Sequence, residues 1–396
     1  MRAFFATRSS HRPFRVVATT AILGYGFPET SFHTAMSAGP VDLIAVDAGS
    51  IDPGPYYLAT KTSFTALEHV VRDLRIMIQG YLDHDVTING PRPKVVVGSA
   101  GGCGTNNQVD IMEKEVRKLL LELGGPTFSA STSIATVTSE QLHPADKLAS
   151  IELSPLGPQP GGDTGREDLS KSGVVVVAQM GLEPIMTALE HADIVLCGRA
   201  YDPAVFAAEP VRRGYPAASA LHAAKILECG AIATVPGSGS DCLVADLEED
   251  GSALFWAPNE ARRATILSVA AHTLYEKSHP HLFGMPGGYL DTSNTRFVQV
   301  DERTVSMVGT TMHRTPPTVK LEGAVVRGTR YVELTLVENE KSLVSKSNLG
   351  FDFVYGLNGV EKRPLDPTVD EQELGILITV SANQKNSALA KSHLAL

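Results

Sequence analysis

The sequence predicts an α/β protein: a mostly parallel sheet with helices on both faces, followed by a C-terminal α+β subdomain. Three observations carry this. Runs of Val and Ile without polar alternation recur through the first half, as buried parallel strands require. Amphipathic helical stretches separate those runs. From about residue 241 the texture changes to short strands joined by turns. The 396 residues are enough for two domains, and we place a soft boundary near 235. Residues 1–13 then form a flexible leader, 14–235 the main domain and 236–396 the subdomain.

Taken in order, "FRVVATTAIL" (14–23) reads as the first strand and "VDLIAVD" (41–47) as the second. In "TALEHVVRDLRIMIQGYL" (65–82), Leu67, Val70, Val71, Leu74 and Ile78 recur at helical spacing. "KVVVGSAGG" (94–102) is a third buried strand running into glycines, and "QVDIMEKEVRKLLLEL" (108–123) a second amphipathic helix. "GVVVVAQM" (173–180) and "ADIVLCG" (192–198) continue the series. The Pro/Gly-rich "SPLGPQPGGDTGREDLSKS" (154–172) interrupts it; strands resume directly afterwards, so we read a surface loop within one domain. Beyond it, "DCLVADLEEDGSALFW" predicts a hairpin and "TILSVAAHTLYEKS" a helix. "FVQVDERTVSMVG" and "TVKLEGAVVRGTRYVELTLV" predict antiparallel strands.

Charge and composition exclude several classes of partner. The formal charge is −10 with basic residues scattered, which disfavours nucleic acid. No apolar run approaches the ~20 residues of a membrane helix, so no membrane partner is expected. Cys103, Cys197, Cys229 and Cys242 are widely spaced without C-x-x-C, which fits a reducing compartment and a cytoplasmic location. The start "MRAFFATRSSHRPFR" carries four arginines and no acid precedes Glu29, so a mitochondrial transit segment is the alternative.

Ligands of parallel α/β sheets bind beyond the carboxyl ends of the strands, and several loops fall there. "GYGFPET" (24–30) has G-x-G but places Glu29 where a dinucleotide fingerprint needs a third glycine. "DAGSIDPGPYY" (47–57) closes a strand with Asp47, follows with Ser50 and Asp52, and stiffens its exit with Pro-Gly-Pro before Tyr56 and Tyr57. Asp47 and Asp52 suit an acid/base pair, a Mg²⁺ or Mn²⁺ chelate, or simply a turn. In "GSAGGCGTNNQ" (98–108), the backbone of Gly98, Ser99, Ala100, Gly101 and Gly102 predicts an anion nest before a helix, close helix–sheet packing being the alternative. No P-loop ending follows, so no nucleotide cofactor is implied. Cys103 sits where a helix dipole could lower a thiol pKa.

Further candidates lie downstream. In "CGRAYDPAVFA" (197–207), Arg199 can clamp a carboxylate, with Asp202 as its partner or as a separate acid/base. "PGSGSDC" (236–242) leaves Asp241 exposed at the end of a small-residue loop. His272 and Glu276 are four apart and expected on one helical face. Gly287 and Gly288 in "MPGGYLD" can bring backbone against a ligand. Lys320 and Glu322 share a strand face, as an ion pair or as substrate contacts.

Seven stretches in order, "DAGSIDPGPYYL", "GSAGG", "GRAYDPAVFA", "ILECGA", "HTLYEKSHP", "PGGYLD" and "KLEGA", resemble the acyclic terpene utilisation family named for AtuA, from about residue 14 to 335. The resemblance implies catabolism of branched citronellol- and geraniol-type acyl-CoA compounds. It marks Asp47, Ser50, Asp52, Tyr56, Arg199, Asp202, Glu276 and Lys320 as motif positions. It also implies that "VSANQKNSALAKSHLAL" departs from a stretch that normally continues. The expectation is a homo-oligomeric lyase or hydratase acting beside the carbonyl of a small carboxylate or acyl-CoA. A metal-dependent hydrolase and a non-catalytic acyl-binding subunit are the alternatives.

Overall fold

A computed structural model describes residues 12–49, 54–63, 65–140, 152–154, 173–277 and 279–326, and the backbone of strands at 329–337, 353–356 and 374–382. The leader is therefore almost wholly outside the described residues, as are Ser50, Asp52, most of the 154–172 loop and the C-terminal stretch.

The chain starts with β1 (Phe14–Ala18), α1 (Glu29–Ser37), β2 (Leu43–Asp47), α2 (Gly54–Thr60), α3 (Leu67–Asp83), α4 (Val86–Asn89) and β3 (Lys94–Gly98). It continues with α5 (Asn106–Ser131), β4 (Ile134–Val137), β5 (Val176–Gln179), α6 (Leu182–Leu189), β6 (Ile194–Cys197), α7 (Asp202–Arg212) and α8 (Ala217–Leu227). Then follow β7 (Leu243–Leu247), β8 (Ala253–Trp256), α9 (Ile266–Thr273), β9 (Leu282–Met285), β10 (Gly288–Asp291), β11 (Arg296–Gln299), β12 (Thr304–Val308), β13 (Thr311–Arg314) and β14 (Lys320–Gly323).

Nine strands form one sheet in the order β11-β12-β8-β7-β1-β2-β3-β6-β4. From β1 to β4 every pairing is parallel, so the carboxyl ends of five strands share one edge. From β1 outward to β11 every pairing is antiparallel. Strand periodicity sorts the side chains into two cores. Val16, Ala18, Leu43, Ala45, Val96 and Val195 pack with α6, α7 and α8. Val17, Ile44, Val46, Val95, Val97 and Leu196 pack with α1, α3 and α5. Helices on both faces explain why β2 is buried at every position.

Four expectations change. The predicted hairpin is β7–β8, but it extends the main sheet through β1, so residues 243–308 contribute strands to it. The compact units accordingly divide at Val325/Val326, well past residue 235. β5 lies outside the main sheet and pairs antiparallel with β14, setting Val177 opposite Glu322. Gly54 and Pro55, from the predicted Pro-Gly-Pro exit of the Asp47 loop, open helix α2, which carries Tyr56 and Tyr57. Finally, α9 stops at Thr273, with Leu274 as its C-cap. Glu276 lies beyond it at φ 60°, so His272 and Glu276 do not share a helical face.

The second unit, residues 326–396, contains β15 (Thr329–Val337), β16 (Phe353–Gly356) and β17 (Leu374–Ala382) as an antiparallel sheet in the order β15-β17-β16.

Candidate active site

The parallel strands deliver Asp47, Ser99, Ser139 and Arg199 to one edge of the sheet. Asp47 ends β2, Ser99 follows β3, Ser139 follows β4 and Arg199 follows β6. Arg199 is fully buried and is gripped from several elements. Its Nη1 donates to Ser99 Oγ (3.1 Å), Ala200 O (3.0 Å) and Asp202 Oδ1 (2.9 Å), and its Nε donates to Glu322 Oε2 (2.9 Å). Ser139 Oγ accepts the Arg199 N–H (2.6 Å) and donates to Gly104 O (3.0 Å), tying the β3, β4 and β6 loops together. Lys320 pairs with Glu322 at 2.9 Å, so the predicted strand-face pair is real and joins the arginine network. Only Nη2 of Arg199 is buried without a hydrogen-bond partner among the described residues.

Asp47 stands beside this guanidinium, 2% exposed. Gly49 N–H donates to its Oδ2 (2.6 Å), whereas Oδ1 is sealed without a hydrogen-bond partner among the described residues. Burial, then repulsion from Asp202, pushes its pKa up to about 7, against the opposing pull of Arg199, Gly49 and Ser99. The surrounding glycines are explained by crowding. A Cβ on Gly98 would overlap Asp47 Oδ1, one on Gly49 would sit 2.6 Å from Arg199 Nη1, and one on Gly104 would overlap the Arg199 backbone.

That packing corrects the anion-nest expectation. The N–H groups of Ser99, Gly102, Cys103 and Gly104 all donate to backbone carbonyls rather than to open space. Gly101, at φ 68°, packs against Gln108, and Ala100 is fully buried. At the start of α5 the Asn106 N–H donates to Glu140 Oε2 (3.0 Å), so the chain's own carboxylate takes that position. Cys103 is buried and its thiol is pushed up by desolvation, the reverse of nucleophile activation. Cys197, behind Asp47, is likewise raised by burial.

Other predicted residues have structural partners. Asp241 is buried rather than exposed; Asn259 Nδ2 (2.7 Å), Arg262 Nε (2.7 Å) and the Cys242 N–H (2.8 Å) all donate to it. Gly287, at φ 80°, makes the β9–β10 turn, and Gly288 lies so close to His313 O across the β10–β13 ladder that no side chain fits. The Gly24 and Gly26 N–H groups bind Asp73 Oδ2 (2.7 and 3.0 Å), which accounts for that glycine loop. Tyr56 is 63% exposed on α2, its ring edge-on to Tyr57, and takes no part in the buried network. Among the described residues no three His, Cys, Asp or Glu side chains converge as a metal site.

Through Asp202 the network reaches a second buried cluster that sequence reasoning missed. Asp202 opens α7 with its side chain 28% exposed, and it raises the pKa values of both Asp47 and Glu228. Glu228, at the C-cap of α8, is buried and binds Lys225 Nζ directly; Lys225 Nζ also lies 3.5 Å from Glu276 Oε2. Desolvation pushes Glu228 up to about 8 despite Lys225. Lys277 is half-buried, with Nζ 5.2 Å from the Phe283 ring centroid, and burial followed by Lys225 lowers its pKa. His272 stacks on Tyr275 at 5.4 Å, and Tyr201 is raised by burial and by Glu228. The available signal was the lone Lys225 and Glu228 at the end of an otherwise apolar helix, in "KILEC".

The family model of the acyclic terpene utilisation family protein AtuA matches residues 87–349, more than half of the chain. The protein belongs to that family. Ser99, Arg199, Asp202, Lys225, Glu228, Glu276, Lys277, Lys320 and Glu322 fall inside the stretch matched to the AtuA family, and Asp47 lies ahead of it. No curated protein and no solved structure shows a match. No helix among the described residues of this family member is long and apolar enough to cross a membrane.

Proposed function

We propose that this protein is an acid–base enzyme of lyase or hydratase type, acting next to the carbonyl of a branched carboxylate or acyl-CoA. One observation carries the reading. Two buried carboxyl groups, Asp47 and Glu228, have pKa values raised by burial to about 7 and about 8, and the charge of the partly exposed Asp202 raises both. Structural carboxylates are usually held below their ordinary range by partners, as Asp193 is by Ser133 and Lys94, against its own burial. A pair held near neutrality suits proton transfer at the pH of a cell.

With its pKa raised to about 7, Asp47 can remove a proton beside a carbonyl at the pH of a cell. Glu228 is mostly protonated and can return one to a leaving hydroxyl or to the far carbon. Arg199 is better read as the framework that positions Asp47 and Asp202 than as a substrate clamp, because Asp202 and Glu322 already occupy it. Asp202, Glu276 and Lys320, with side chains 28%, 39% and 32% exposed, are members of the two clusters that solvent, and hence a substrate, can reach.

The test is turnover on a panel of branched unsaturated and 3-hydroxy acyl-CoA esters and free acids, followed by mass spectrometry with Mg²⁺, with Mn²⁺ and with EDTA. We expect a change of one water, or a carbon–carbon cleavage, that survives EDTA. Either should fall by roughly 10²–10⁴ in Asp47→Asn and in Glu228→Gln. Turnover abolished by EDTA supports the metal-dependent hydrolase instead. Tight binding without turnover, unchanged in Asp47→Asn, supports a non-catalytic acyl-binding subunit.

A further inference from the structure

The two lysines of the second cluster are not equivalent. Lys225 Nζ is held between Glu228 and Glu276, with Tyr275 beneath it at 5.4 Å. Lys277 has no ion pair among the described residues and points its Nζ toward the face of Phe283, at 5.2 Å. Charged and titratable groups face it from two elements and from its own turn. These are Asp202 at the start of α7, His222, Lys225 and Glu228 on and just after α8, and Glu276 beside it. The turn that presents it is strained, since Glu276 takes φ 60° immediately after α9. A non-glycine residue in that region costs free energy, and such outliers gather at working sites.

From this geometry we propose that Lys277 is a carbonyl-capturing amine, forming an imine with the ketone or aldehyde of an oxo-carboxylate substrate. The proposal deepens, and rests on, the acid–base reading of the residues linked through Asp202: it names the substrate class and the electron sink. The desolvated amine, with a second ammonium next to it, keeps a larger fraction in the free-base form than an exposed lysine does. Its nitrogen lone pair adds to the carbonyl carbon, and the C=O π pair moves to oxygen, which takes a proton from a neighbouring carboxyl. Glu228 is the acid that holds one at neutral pH. The carbinolamine then loses its hydroxyl as water. The net change is one carbonyl and one lysine ammonium giving one protonated imine and one water, with no oxidant or reductant needed. The iminium draws electrons from the adjacent carbon, where Asp202 can remove a proton or a bond can break. Glu276 pairs with Lys225 as the fixed cation beside the amine, and Glu228 accepts a hydrogen bond from the same ammonium.

The experiment uses the full-length protein with 4-oxopentanoate and with acetylacetone as probes, reduced with cyanoborohydride and mapped by peptide mass spectrometry. We expect the reduced adduct on Lys277. At pH 7 it should form roughly tenfold faster than on Lys114, an exposed lysine of α5, because Glu228 stands beside the amine as a proton donor. In Lys277→Arg, checked for folding by circular dichroism, that adduct should vanish without reappearing on Lys225. Equal labelling of Lys277 and Lys114, or labelling that prefers Lys225, overturns the proposal. The two readings separate cleanly. Asp47-dependent turnover without a Lys277 adduct removes the imine and leaves acid–base catalysis standing. An adduct without Asp47-dependent turnover does the reverse.

Discussion

A buried guanidinium with two carboxylates and a third close by sets the terms at the scale of single residues. Arg199 pairs with Asp202 and Glu322 and lowers the cost of ionising Asp47. Removing one member of such a buried set strands the others, at roughly 3–5 kcal/mol. Arg199→Leu is therefore expected to lose about that much in urea unfolding. Arg199→Lys should recover less than half of it. A single ammonium cannot reach Ser99, Asp202 and Glu322 in the directions the fork satisfies at 2.9–3.1 Å. A lysine variant as stable as the parent would show that charge alone, and not the fork, is what the site requires.

At the scale of elements, the loops around this arginine are shaped by closeness. Gly104 combines φ 67° with a backbone approach to Arg199 that leaves no room for a Cβ, whereas Gly125 has φ 76° and open space around it. Gly125, with ψ 178°, lies in a region open essentially to glycine alone, so Gly125→Ala should cost that backbone strain of roughly 1–3 kcal/mol and nothing for contacts. Gly104→Ala should cost clearly more, because the obstacle is the Gly198–Arg199 main chain, which cannot rotate away. Thermal melts of the pair decide it, and equal losses would mean the β3 and β6 loops can part at little cost. Elements also show what a sequence can reveal. Asp47, Arg199 and Asp202 were legible because strand-end loops of a parallel sheet converge by topology. Lys225 was not, since one lysine in a last helical turn reads as a solvated partner of the helix dipole. Lys277 was hidden because Leu274, Tyr275 and Glu276 continue a helical pattern, and no Gly or Pro marks the stop at Thr273. β5 was legible as a strand but not in its pairing: a run of valines fits any buried ladder, and only the position of β14 assigns it.

At the scale of the whole molecule, four buried titratable groups impose opposing pH dependences, and their balance can be worked out. His222 is fully buried between Thr310 (2.6 Å) and Thr273 (3.1 Å), and burial lowers its pKa to about 3; that of His272 is lowered to about 4. Both are neutral when folded and protonate near 6.5 when unfolded. Their contribution is complete above pH 6.5 and is lost as pH falls from there toward 3–4. Asp47 and Glu228 behave oppositely. Their folded pKa values, about 7 and about 8, lie above ordinary carboxyl values, so the folded state holds protons that the unfolded chain has released. Their contribution is complete below about pH 4 and declines as pH rises, until 7–8 is passed. Between about pH 4.5 and 6.5 the two histidines and the two acids have opposite slopes of equal size, and stability should be nearly flat. Above 6.5 the histidine slope ends while the acid slope continues, so up to about 3 kcal/mol should disappear by pH 8.5. Urea unfolding at pH 5.5 and 8.5 measures that loss. Asp47→Asn, which mimics the protonated acid, should shrink it, and Glu228→Gln should shrink it further. Stability that instead climbs from pH 5.5 to 8.5, or an alkaline loss unchanged in both variants, would mean these carboxyl groups are ionised in the folded protein. The proton they share with substrate would then have to come from elsewhere.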